Sequence, residues 1–170
     1  MCIRDRILGT NTNFPWTTIE ELLANEDETS TSFRIKGYIR EVPTKLYKQD
    51  LAMVCAFCCN CVEYAPSRIK CSTCQNARVV VFHFSITLGE NAPDFLPRAS
   101  PELKVFVAGK HAEVLLDMTV EDYLESYRHR KKVVEKLKQL EGEFVTISIN
   151  RARFPGKNYG YQLVNTYLTK

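Results

Sequence analysis

Six of the seven cysteines crowd into one short stretch, Cys55, Cys58, Cys59, Cys61, Cys71 and Cys74. Within it lie two Cys-x-x-Cys pairs, Cys55 with Cys58 and Cys71 with Cys74, separated by 12 residues. Each pair can present two thiolates from one tight turn, and four thiolates complete the tetrahedral, all-sulfur shell of structural zinc. A shell closed by four sulfurs leaves no position for an activated water, so such a site holds a fold together and catalyses nothing. Cys58 and Cys61 have the same spacing, which leaves Cys61 open as a replacement for Cys55. An asparagine stands two places after the second cysteine of each pair, Asn60 and Asn76. Asparagine tolerates the left-handed backbone that such turns can require, and this favours Cys55, Cys58, Cys71 and Cys74 as ligands. The competing chemistry is a set of reduced, buried thiols or a redox pair.

No other constellation points to catalysis. His83, His111 and His129 are scattered, with no carboxylate or cysteine at a spacing that builds a familiar site. There is no phosphate-cradling glycine motif, nucleophile elbow or convincing pair of catalytic carboxylates, so no enzyme activity and no small-molecule substrate are expected. Arg34, Lys36, Tyr38 and Arg40 interleave cations with an aromatic ring, the combination that binders of single-stranded nucleic acid use. Arg151, Arg153, Tyr159 and Tyr161 repeat the theme. An exposed strand also needs polar residues simply to stay in water. The run from Arg128 to Lys132 could touch phosphates, although a charge run on a helix is usually a solvated face.

The elements that must position these residues can be read from periodicity. A short helix follows Pro15, capped by Thr17 or Thr18, and packs Ile19, Leu22 and Leu23 inward. Phe33, Ile35, Gly37 and Ile39 alternate with the four polar residues as in a half-buried strand. Leu46 to Val54 reads as a second strand leading into the cysteines, and Arg78 to Leu88 as a central strand covered on both faces. Leu103 to Ala108 is a further strand closed by Gly109, with a helical turn over Ala112 to Leu116. Thr119 caps one long helix from Val120 to about Leu140, with Tyr123, Leu124, Tyr127, Val134, Leu137 and Leu140 on its apolar face and Gly142 as its stop. Two last strands, Phe144 to Ile149 and Tyr161 to Leu168, flank a reversal. Together these suggest a mostly β chain with helices, an OB-type Greek-key barrel carrying an inserted zinc-ribbon-like knuckle of four cysteines.

The 170 residues, 45% hydrophobic and 25% charged, suit one globular domain, and a net charge of +3 permits nucleic-acid binding without arguing for it. No apolar run approaches the roughly 18 residues that span a bilayer, so no membrane segment is expected. Residues 1–6 read as a translated adapter scar rather than native sequence. The natural protein is then expected to continue upstream, with one OB-type domain over 14–170 and its zinc insert at about 51–78.

The chain from Phe14 to Leu168 resembles the C-terminal OB domain of the protection-of-telomeres family. The resemblance is carried by Phe14-Pro-Trp-Thr-Thr-Ile-Glu-Glu-Leu-Leu23, Phe33-Arg-Ile-Lys-Gly-Tyr-Ile39, the two cysteine pairs, Phe84-Ser-Ile-Thr-Leu88, and the stretches Lys104 to Ala112 and Leu115 to Leu124. It implies one structural zinc on Cys55, Cys58, Cys71 and Cys74. It also implies a nuclear, telomeric protein in which this domain binds another shelterin subunit while separate upstream OB domains grip single-stranded telomeric DNA. Some animal members carry a resolvase-like insert between the cysteine pairs, where this chain has 12 residues. The short spacing is similar to the C-terminal DNA-binding domain of the replication protein A large subunit, the alternative family.

Overall fold

Alternation of apolar and polar side chains builds the barrel. The structure, a computed structural model, describes residues 14–24, 32–55, 61–63, 70–92, 100–152 and 160–168. Strand β1 (Ser32–Glu41) buries Phe33, Ile35 and Ile39 and turns the residues between them outward. Strand β4 (Arg78–Gly89) buries Phe82, Phe84, Ile86 and Leu88. Its other face is half-buried and Val79 is 50% exposed, so β4 is covered on one side only, against the expectation of a strand buried on both. Strands β5 (Glu102–Ala108), β6 (Phe144–Ala152) and β7 (Gly160–Leu168) complete the set, contributing Leu103, Val105, Val107, Val145, Ile147, Ile149 and Leu163 to one core.

These five strands close on themselves in the order β1-β6-β7-β5-β4 and back to β1. Every neighbouring pair is antiparallel except β5 with β7, which run parallel through Val105–Tyr161 and Phe106–Gln162. A five-stranded Greek-key ring of this kind is the OB barrel that the sequence leads one to expect. Two shorter strands, β2 (Leu51–Cys55) and β3 (Cys61–Glu63), extend the first half of β4 into a second, three-stranded sheet. The expected strand from Leu46 starts only at Leu51, after a single 3-10 turn over Lys48–Asp50.

Strand β1 serves two neighbours, β6 along Ser32 to Tyr38 and β4 from Tyr38 onward, with a register shift in the β4 pairing between Ile39 and Glu41. Gly37 lies at the crossing. A Cβ there would stand 2.9 Å from the Gly89 carbonyl oxygen, so only glycine allows the two backbones to approach this closely.

Helix α1 (Ile19–Ala24) buries Ile19 and Leu22, whereas Leu23 is 41% exposed and does not join the core as expected. Thr18 caps it reciprocally: its Oγ1 accepts from the Glu21 amide at 3.1 Å, and its own amide donates to Glu21 Oε2 at 2.9 Å. Gly109, at φ 56°, leads β5 directly into helix α2 (Gly109–Leu116).

The single long helix expected over Val120 to Leu140 is two helices, α3 (Val120–Glu125) and α4 (Tyr127–Leu140). Ser126 between them is extended, at φ −143° and ψ 149°, and its Oγ accepts from the His129 amide at 3.2 Å. Arg130 closes the other side of the break, donating to the carbonyls of Tyr123 and Leu124 at 3.3 and 3.2 Å. The apolar periodicity runs on through the break because both helices face the same core. Tyr127 is 80% exposed rather than packed, and Val133 is buried instead. Gly142, at φ 86°, follows the end of α4 as the sequence implied.

Candidate metal centre and outer strand faces

Strand β2 delivers Cys55 at its end, fully buried. The other pair sits on a turn pinned at its base by a Lys70–Ala77 bridge. Inside that turn the Cys71 amide donates to the Asn76 carbonyl at 2.8 Å and the Gln75 amide to the Cys71 carbonyl at 2.9 Å. The left-handed residue is Gln75, at φ 60°, directly after Cys74. Asn76, expected in that role, instead donates its side-chain amide to the Cys74 carbonyl at 3.2 Å. A glutamine held at positive φ is strained by about 1–3 kcal/mol and persists only where its surroundings fix it.

The turn brings Cys71 and Cys74 to Cys55, all three sulfurs lying within 4.8 Å of one another and those of Cys55 and Cys74 3.4 Å apart. Zinc–sulfur bonds of about 2.3 Å in a tetrahedron put neighbouring sulfurs about 3.8 Å apart, so the trio fits three corners of such a shell. Cys55 thus takes part in the cluster. Cys58 lies outside the described residues, as do Cys2 and Cys59. A second group, Asp122, Glu125 and His129, converges equally closely because the α3–α4 break folds them together. Both its acids are exposed, and His129 Nδ1 already faces the Asp122 carbonyl at 2.8 Å. Spacing along the chain concealed this group.

Arg34, Lys36, Tyr38 and Arg40 share the outer face of β1 as expected, but each is engaged with the protein. Trp16 bridges alongside Arg34, and its ring lies 4.2 Å from the Arg34 guanidinium carbon and 4.7 Å from Lys36 Nζ. Tyr38 packs on Phe144 with ring centroids 4.9 Å apart. Arg40 lies against Gly89 and donates to Ser100 Oγ at 3.2 Å. Arg151 stacks over Tyr161 at 5.9 Å, while Arg153 and Tyr159 lie outside the described residues. Of the basic run on α4, Arg128, Lys131 and Lys132 are exposed.

The outer face of β4 and β5 carries a combination that sequence reading missed. His83 stacks on Phe106, centroids 6.0 Å apart and planes 15° from parallel, with Lys104 Nζ 6.0 Å from the same ring. Burial lowers the His83 pKa from its ordinary value, partly opposed by the negative charge of Asp50. The available signal was the outward register of two neighbouring strands, each placing a ring opposite the apolar core positions.

No family model matches this chain, and no curated protein is significantly similar to it. Solved structures are. A chain in a replication protein A heterotrimer bound to single-stranded DNA superposes with a TM-score of 0.63 at 10% identity, covering 92% of this chain and 37% of that one. Yeast replication protein A bound to single-stranded DNA gives 0.55 at 14% identity, over 89% of this chain and 86% of that one. A crystal structure of fission yeast Pot1 and Tpz1 gives 0.49 at 10% identity, over 92% and 93%. At these identities the likeness is one of fold. Among the described residues no helix is long and apolar enough to cross a membrane.

Proposed function

We propose that this chain is a zinc-stabilised OB domain, residues 14–170 with an insert at about 51–78, that assembles a complex handling single-stranded DNA. In this reading Cys55, Cys58, Cys71 and Cys74 hold one structural zinc, and the domain performs no catalysis. The complex is the telomere-capping one: the domain docks another shelterin subunit in the nucleus, and upstream OB domains grip telomeric single strands. The convergence of three cysteine sulfurs beside an OB ring carries the reading. The telomeric assignment is supported by the sequence resemblance of Phe14 to Leu168.

The His83–Phe106 stack favours a second reading, a DNA-binding OB domain of the replication protein A large subunit. It stands on the second and third strands of the ring, where OB folds take oligonucleotides. The β1 set of Arg34, Lys36, Tyr38 and Arg40 is the weaker platform, because those side chains already pack on Trp16, Phe144 and Gly89.

Two measurements separate the readings. Elemental analysis should find one zinc per chain, and a folded, metal-free domain would remove the common basis of both. Titration of the domain with a labelled single strand across salt concentrations should find little binding under the first reading. Salt-dependent binding lost in Phe106→Ala, with replication subunits captured alongside the full-length protein from its own cells, would establish the second. Capture of telomeric subunits supports the first.

A further inference from the structure

Arg78 stands directly across the β2–β4 ladder from Cys55. Opposed residues of an antiparallel pair send their side chains to the same face, with Cβ atoms about 5 Å apart. Cys55 is fully buried there, and Met53 and Val54 beside it are buried as well. The Nε of Arg78 is also buried and has no hydrogen-bond partner among the described residues. Among the described residues no carboxylate pairs with it.

A guanidinium keeps its proton under all ordinary conditions, and a buried donor on a permanent cation is disfavoured unless an acceptor or counter-charge is near. Native proteins leave few such groups, and each calls for an explanation, a nearby ion being one. Four thiolates around one divalent zinc leave two negative charges in excess, in surroundings that screen them poorly. We infer that Arg78 is the counter-charge of this cluster, its Nε–H directed to the sulfur side of the β2–β4 ladder. The inference rests on the zinc reading of the four cysteines. Lys70, beside Cys71, is exposed and has its charge solvated. Arg40 shares the unpaired Nε, but its guanidinium donates to Ser100.

Arg78 is accordingly a positioning residue, and its removal should weaken metal binding without changing the ligand shell. The test is zinc affinity of the purified domain, by chelator competition at one pH and ionic strength, for wild type, Arg78→Met, Arg78→Lys and Lys70→Met. Arg78→Met keeps the apolar stem and drops the charge, and it should bind zinc about 10–100-fold more weakly, as loss of an outer-shell partner does. Arg78→Lys should recover most of that loss, and Lys70→Met should match wild type. Cobalt substitution should give the same thiolate charge-transfer bands throughout. Unchanged affinity in Arg78→Met, or Arg78→Lys as weak as Arg78→Met, overturns the inference. If Arg78→Met fails to fold even with excess zinc, the lysine variant decides alone, because retained charge requires retained affinity. A wild type that binds no zinc defeats the parent reading instead.

Discussion

The two halves of β4 belong to different constructions. From Phe82 to Leu88 its inward residues join a cluster contributed by all five ring strands and the helices, and the barrel stands on apolar burial. From Arg78 to Val81 it pairs with β2, where Met53, Val54 and Cys55 are buried yet lie outside that cluster. Among the described residues the knuckle has two short strands and a turn that holds Gln75 at positive φ. In the proposed reading, chemistry at the sulfurs orders the knuckle, while exclusion of water orders the barrel. One strand shared between the two means that neither is independent of the other.

The largest expected effect breaks that comparison directly. Cys71→Ser, or chelation of the wild type, should abolish stoichiometric zinc and unfold the domain cooperatively, read by circular dichroism and zinc analysis, because β4 transmits the loss. A barrel that melts unchanged without metal would make the knuckle a mere appendage. Next, Phe82→Ala removes a fully buried ring at the point where β4 passes between the sheets, opposite Leu51. It should lower unfolding free energy by about 3–5 kcal/mol in denaturant titration while leaving zinc content at one. Gly37→Ala, which must push β1 from the Gly89 carbonyl, should cost about 1–3 kcal/mol by the same measurement.

The smallest effect is in pH. Burial lowers the pKa values of both His83 and His111 below the ordinary 6.5. The folded state then binds fewer protons than the unfolded one, so their contribution is fully present above about 6.5 and is lost as pH falls through the lowered values. Melting temperatures of wild type and a His83→Gln/His111→Gln variant, measured from neutral to mildly acid pH, should fall more steeply for the wild type. Glu21, whose carboxyl is held below its ordinary value by hydrogen bonds from the Thr18 amide and hydroxyl, adds an acid loss that both proteins share.

Local signals were legible in the sequence and distant ones were not. The alternation in Phe33 to Ile39, the cap at Thr18 and the stop at Gly142 depend on neighbours within a few residues, and each stands where the sequence puts it. The Cys71–Cys74 pair was legible for the same reason, since it sits on one turn. Ser126 was missed because unbroken apolar periodicity hid a residue whose hydroxyl competes for a helix start. The carboxylate of Glu90, which accepts the Ile19 and Glu20 amides at 2.8 and 3.2 Å, is 71 and 70 residues from them, beyond any pattern of spacing. The packing of Arg34 and Lys36 under Trp16 was hidden likewise, since alternation tells which face a residue takes and not what else lands there.

The parallel pairing of β5 with β7 bears on how the chain comes off the ribosome. Those two strands seal the ring, and β7 is the last described strand to be synthesised, whereas the cysteine pairs lie nearly a hundred residues earlier. Contacts that close short loops form fast, and those that wait for distant partners form late. Under the proposed zinc reading the ion is gripped while the hydrophobic interior is still open, and the sulfur turn is a nucleus laid down in advance of the vessel it braces.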